Sequence, residues 1–228
     1  MMKIAMHGLY AIADTALIEG NELLQRVREA LRGGARMVQY RHKSAIDNTR
    51  REELRALREL CRAYGAPLLI NDDVALAREV DADGVHLGKE DVAIHEARAA
   101  LGAGKLIGAS CYNDLRLAQS AANEGANYVA FGSFYDSSIK PGAVRASPML
   151  LTAARRQLDV PLVAIGGITA KNGALLVAAG ADALAVISGL FAQINTEAAA
   201  RRYARLFENP VEDPAHADEE PQHQEDLT

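Results

Sequence analysis

Residues 50–71, RREELRALRELCRAYGAPLLIN, hold two hydrophobic periods in succession. Leu54, Leu57, Leu60 and Cys61 recur three and four residues apart with Arg and Glu between them, the pattern of a helix burying one stripe. After Gly65 the run PLLIN (67–71) is short and continuously apolar, as in a strand covered on both faces. The same alternation continues in both directions. Candidate strands are LYAIA (9–13), RMVQY (36–40), DGVHL (83–87), KLIGAS (105–110), NYVAFGS (127–133), PLVAIGG (161–167) and ALAVIS (183–188), besides PLLIN. Between and after them, 3.6-residue periodicity predicts helices over 20–32, 48–64, 73–80, 90–101, 113–124, 147–158, 170–179 and 189–207. Strand and helix alternating eight times predict an α/β chain, a single-domain (β/α)8 TIM barrel over residues 1–208. A doubly wound open sheet would usually have fewer units and a Gly-rich turn after the first strand, which LYAIADTALIEG lacks. The junctions GGARMV, DADGV, EGANYV and AGADAL precede the second, fourth, sixth and eighth strands, a weak repeat at every second unit. Small residues there let each helix end and close onto the sheet.

Composition narrows the class further. The chain has 228 residues, 49% hydrophobic and 24% charged, enough to bury a core without disulfides or a structural metal. Two cysteines, Cys61 and Cys111, are too few for a disulfide framework or a four-ligand zinc site. There is no apolar run long enough for a membrane span, and MMKIAMHGLYAIAD reads as a strand rather than a signal peptide. A reduced, cytoplasmic protein is expected. Residues 209–228 carry seven acidic residues and no Lys or Arg, so they read as a short disordered acidic C-terminal tail. Without that tail the net charge moves from -5 to +2. A near-neutral body with 5% aromatics and no Trp does not suggest a nucleic-acid partner. Whether the protein is a homo-oligomer is left open.

In such barrels the chemistry lies at the C-terminal ends of the strands. Three themes recur there. Gln39, Arg41 and Lys43 are spaced by two, so in an extended chain they share a side, and inward cations call for an anion or a structural salt bridge. Asp72 and Asp91 follow adjacent strands and could share Mg²⁺; the alternative is a helix N-cap, a part open to Asp73 or Asp91. Gly166-Gly167 and Ser188-Gly189 follow strands seven and eight, where backbone N–H groups often hold phosphate. One anion thus looks pyrophosphate-like, faced by Arg41, Lys43 and Lys140, and the other a simple phosphate. That combination favours displacement of pyrophosphate over isomerisation. His86 is read as a packing residue, His42 as facing away from Arg41 and Lys43, and Cys111 as no nucleophile.

Taken in order, VQYRHK, LLINDD, DGVHLGKED, GASCYN, FGSFYDSSIKPGAVRAS, VAIGGIT and ALAVISGLF resemble the successive signatures of the thiamine phosphate synthase family, over about residues 8–207. The resemblance implies an enzyme that joins two small phosphorylated substrates, hydroxymethylpyrimidine diphosphate and hydroxyethylthiazole phosphate, with loss of pyrophosphate. It implies that Gln39, Tyr40, Arg41, His42, Lys43, Asn71, Ser110 and Lys140 bind the pyrimidine diphosphate. Arg41, Lys43 and Lys140 would serve catalysis, and Asp72 and Asp91 would ligate Mg²⁺. Ser137, Ser138, Ile139, Gly167, Ile187 and Ser188 match the thiazole phosphate site. Three positions depart from the family pattern: Asp136 where Pro is common, Ile139 for a Thr, and Lys89 for a Gln. The loop 132–147 has the length and composition of a lid over the substrates. Remaining alternatives are a thiazole tautomerase-like paralogue, a non-catalytic barrel that binds a thiamine precursor, and an unrelated phosphate-sugar isomerase or epimerase. The last would leave the cation ladder and paired carboxylates without a purpose.

Overall fold

Successive strand residues point to opposite faces, and here the two faces have different jobs. Tyr10, Ile12, Met37, Leu69, Leu106, Tyr128, Val163 and Ala183 form one buried cluster. Their neighbours Ala11, Val38, Leu68, Ile70, Val85 and Val129 belong to a second, which includes the buried faces of the helices. Two-sided burial of this kind fits a parallel sheet with one face packed on itself inside a barrel and helices on the other.

The computed structural model describes residues 6–18, 22–43, 48–136, 142 and 144–208. Among these, the strands β1 (Gly8–Asp14), β2 (Ala35–Arg41), β3 (Leu68–Asn71), β4 (Gly84–Leu87), β5 (Leu106–Tyr112), β6 (Tyr128–Phe131), β7 (Leu162–Ile165) and β8 (Ala183–Val186) close in sequence order into a barrel. Every pair is parallel, and β8 returns to β1. The helices are α1 (Leu23–Arg32), α2 (Asn48–Ala63), α3 (Val74–Glu79), α4 (Ile94–Leu101), α5 (Leu115–Asn123), α6 (Pro148–Arg155), α7 (Gly173–Ala178), α8 (Ser188–Phe191) and α9 (Thr196–Glu208). The stretch that predicted α2 buries Leu54, Leu57 and Cys61, with Leu60 half-buried against the same core. Among the described residues no helix is long and apolar enough to cross a membrane. The predicted tail, 209–228, lies outside the described residues.

The repeat at alternate junctions has a structural cause. Gly34, Gly125 and Gly180 have φ of 101°, 96° and 107°, and Asp81 takes the left-handed turn at the junction before β4. Two residues further on, Asp83, Asn127 and Asp182 accept hydrogen bonds from the N–H groups of Leu68, Ile107 and Leu162 at 2.8, 2.8 and 2.7 Å. β4, β6 and β8 are thereby each tied to the odd strand before them, and three backbone donors at the barrel floor are satisfied.

One expectation is corrected. The segment 189–207 reads as a single helix, but it forms α8, a break at 192–195, and α9. The Asn195 carboxamide accepts the N–H of Ala198 at 2.8 Å and starts the second helix. The turn lets α9 lie against α1 and β1. A Cβ on Gly33 would sit 2.4 Å from the Ala200 Cβ, so only Gly permits that approach.

Candidate active site

The strand ends bring the predicted residues together around one mouth. On β2, Gln39 and Arg41 face the interior, whereas Tyr40 is buried in the helix-facing layer. His42 shares the side of Tyr40: their rings stack at 6.1 Å, and the His42 Nδ1 lies 2.6 Å from the Thr15 hydroxyl. The inward ladder thus consists of Gln39 and the two cations Arg41 and Lys43, and His42 faces away as its parity predicts.

Both cations are held by carboxylates. Arg41 pairs with Asp14, the last residue of β1, which is 2% exposed. That partner was not among the candidates. Asp14 and Arg41 are register partners across β1 and β2, a relation that exists only once the strands are paired. One guanidinium N–H goes to Asp14, and the rigid fork carries further donors for an anion. Lys43 Nζ lies 2.6 Å from Asp72 Oδ2.

Asp72 follows β3 in a left-handed conformation (φ 64°), and its N–H donates to the His86 carbonyl at 2.8 Å. Asp residues adopt this region more readily than most, and strain held at a strand end is a mark of functional positions. Asp91 accepts the N–H of Gly88 at 2.6 Å. It is not a helix cap: Asp73 caps α3 through the N–H of Leu76, and the N-cap position of α4 is Ala93. Asp72 and Asp91 influence each other and shift in opposite directions in affinity for a proton. Burial pushes Asp72 up, but bonds from Lys43 and Asp91 outweigh it and hold its carboxyl below the usual range. Burial and the adjoining Asp72 charge raise Asp91, against the opposing Gly88 N–H. Two neighbouring carboxyl groups beside one lysine have the chemistry to seat a hard cation.

Behind this rim the interior is polar. Asn71 is half-buried and in register with His86. His86 is 8% exposed and lies between hydroxyls: Nδ1 is 2.8 Å from Tyr128 Oη and Nε2 is 2.8 Å from Ser110 Oγ. Burial lowers its pKa to about 4, against a smaller opposing pull from Asp72, so the ring is neutral at pH 7. Burial raises the Cys111 thiol to about 12, which suits packing and not nucleophilic attack.

The other side of the mouth is backbone-rich. Gly166 and Gly167 have φ of 100° and 64°. A Cβ on Gly167 would come within 2.3 Å of the Asp136 carbonyl. The stem of the β6 loop is stitched there, with Phe134 and Tyr135 N–H groups donating to the carbonyls of Ile165 and Gly166. Past β8, the carbonyl of Ile187 accepts the N–H groups of Leu190 and Phe191, so those of Ser188 and Gly189 stand ahead of the hydrogen-bonded turn of α8. Asp136 is 98% exposed and paired with Arg145, which offsets its charge. Ser137, Ser138, Ile139 and Lys140 lie outside the described residues. A separate cleft of about 400 Å³ opens near the N-terminal ends of β1 and β2, away from this mouth, between Arg32, Arg36, Arg201 and Arg205.

The family model described as thiamine monophosphate synthase matches residues 9–190. The thiamine-phosphate synthase of Thioalkalivibrio sulfidiphilus is 52% identical over 203 residues, covering 89% of this chain and 96% of the relative. That of Acidithiobacillus ferrooxidans is 53% identical over 208 residues, covering 90% and 96%. Among solved structures, thiamine phosphate pyrophosphorylase from Pyrococcus furiosus superposes with a TM-score of 0.82 at 33% identity, covering 91% of this chain and 98% of that one. The chain, an enzyme, therefore belongs to the thiamine monophosphate synthase family.

Proposed function

We propose that the protein couples hydroxymethylpyrimidine diphosphate to hydroxyethylthiazole phosphate, forming thiamine phosphate and releasing pyrophosphate. The observation that carries this reading is the cluster of Lys43, Asp72 and Asp91 at adjacent strand ends, with Arg41 beside it on β2. Departing pyrophosphate takes both electrons of its C–O bond, leaving a cation on the pyrimidine methylene. The thiazole nitrogen then attacks with its own lone pair, so no general base is needed. The principal demand is stabilisation of charge on the leaving group. Arg41 and Lys43 supply two cations there, and Lys140 a third.

Asp72 and Asp91 suit Mg²⁺, which takes one or two carboxylates and completes its shell with phosphate oxygens and water. Among the described residues no group of three or more His, Cys, Asp or Glu gathers to hold a metal, and Asp72 with Asp91 would be a two-carboxylate seat. Bound Mg²⁺ would neutralise charge on the diphosphate. Asp14 and Asp72 hold Arg41 and Lys43 in place before the substrate arrives, which lowers the ordering cost at the transition state. Gln39, Asn71 and Ser110 would orient the pyrimidine diphosphate. Gly167, Ile187 and Ser188 would hold the thiazole phosphate with Ser137, Ser138 and Ile139, in the position where barrels use a short extra helix after strand eight. We place the reaction in the cytoplasm, consistent with two buried free thiols.

Pyrophosphate release measured with each substrate alone and with both together tests the assignment. One pyrophosphate per thiamine phosphate, only with both present, is expected. Isomerisation of the thiazole phosphate without pyrophosphate release would replace it with the tautomerase reading.

A further inference from the structure

Five polar side chains cross the barrel interior in a single hydrogen-bonded file. Gln39 Nε2 donates to Tyr10 Oη at 2.7 Å, and Tyr10 Oη is 2.9 Å from Tyr128 Oη. Tyr128 Oη is 2.8 Å from His86 Nδ1, and His86 Nε2 is 2.8 Å from Ser110 Oγ. The five come from β2, β1, β6, β4 and β5, so no local turn chemistry explains their meeting. Tyr10 and Tyr128 are each 1% exposed, edge to face, and the Tyr128 ring also stacks on His86. Room for that ring is built in: a Cβ on Gly108 would lie 2.0 Å from Tyr128 Cζ.

Such a file has a direction. A hydroxyl in the middle has one proton to give, and a neutral imidazole donates from one nitrogen while accepting at the other. The Gln39 Nε2 amide can only donate. Among the described residues Tyr10 Oη meets only Gln39 and Tyr128, so its buried proton is satisfied only by going to Tyr128, and that of Tyr128 goes in turn to His86 Nδ1. His86 in turn carries its proton on Nε2 and gives it to Ser110 Oγ. The Ser110 proton is left over for the barrel mouth, and the Gln39 Oε1 is left as an acceptor. Reversing the Gln39 amide would reverse every link and turn Ser110 into an acceptor only.

We propose that this file is a polarity relay: Tyr10 and Tyr128 are positioning residues that lock His86 as the Nε2–H tautomer and present Ser110 as a hydrogen-bond donor to the diphosphate. The relay makes the two ends of the site reciprocal. A substrate with acceptor oxygens at Ser110 must bring a donor, such as an exocyclic amine, to Gln39. Selection for a ligand that is an anion at one end and an amine at the other follows from one buried chain. Placing Gln39 and Ser110 as the ends that touch substrate rests on the proposed function above; the direction of the file does not.

The test uses full-length protein with ¹⁵N-labelled histidine and reads the His86 tautomer by NMR without substrate, beside the coupling kinetics. Wild type is expected to show Nε2–H alone. Tyr10→Phe, which alters neither His86 nor a substrate contact, is expected to release the lock. It should give a measurable share of Nδ1–H and reduce kcat about tenfold, the worth of one buried hydrogen bond, with KM for the thiazole phosphate unchanged. Nδ1–H in wild type would overturn the relay even if the variant failed to fold. So would an active Tyr10→Phe protein with unchanged tautomer and kcat. A wild type that shows Nε2–H but makes no thiamine phosphate would sink the proposed function and leave the direction of the file standing.

Discussion

Asp72 and Asp91 show how position outranks residue type. Asp73 is chemically the same and sits next in the chain, yet it caps α3. The left-handed backbone of Asp72 instead brings its carboxylate to Lys43 and Asp91. Asp72→Ala and Asp91→Ala are each expected to lower kcat by about 10²–10³, the scale for losing one preorganised charge-stabilising group, and to weaken Mn²⁺ binding followed by EPR. Variants that keep full turnover and full Mn²⁺ affinity would remove the metal assignment. His86 yields a pH prediction. Its folded pKa of about 4 lies below the ordinary value near 6.5, so the unfolded chain binds the proton more tightly. The stabilising contribution is complete above about pH 6.5 and is lost as pH falls through about 4, roughly 3 kcal/mol in all. Urea unfolding at pH 7 and pH 4.5 should show a larger loss for wild type than for His86→Gln; equal losses would contradict a buried neutral imidazole. Most rim residues were legible because they carry charge at strand ends, where barrels keep their chemistry. Asp14 was not, because one carboxylate closing an apolar strand reads as a boundary until the register sets it beside Arg41. Tyr10 and Tyr128 were missed for a related reason. Tyrosine in a strand reads as packing, and only barrel closure brings the two hydroxyls together.

The elements were the most readable level. Every strand in the sequence reading exists, within a few residues at its ends, because continuous apolar runs flanked by charged helices have few other uses. The segment after β8 was the exception. Ala-rich periodicity runs from 189 to 207 with no Pro or Gly after Gly189, yet Asn195 breaks it by offering its side chain to the backbone. Asn195→Ala should cost about 1 kcal/mol, the usual worth of an N-cap, seen as a fall of about 2–4 °C in Tm. An unchanged Tm would mean that packing of α9 on α1 suffices. Gly108→Ala is a harsher change at the same scale. Its new methyl meets the Tyr128 ring, an overpacking expected to cost about 1–3 kcal/mol and to move the ring off His86. Full stability with an undisturbed His86 tautomer would show that the interior yields more easily than the geometry implies.

At the scale of the molecule, a closed parallel barrel gathers side chains from distant parts of the sequence into two kinds of surface at one mouth. One half is cationic and acidic, built by Arg41 with Asp14 and Lys43 with Asp72 and Asp91. The other is glycine backbone at Gly166, Gly167 and the start of α8. The halves suit two different anions, one to be cleaved and one to be held, and the function follows from that asymmetry. Purified protein incubated with both phosphorylated heterocycles, with and without Mg²⁺, and assayed for thiamine phosphate tests it most directly. Thiamine phosphate is expected in the presence of Mg²⁺, with a steep fall without it. No thiamine phosphate under either condition, from protein that still binds both substrates, would contradict it.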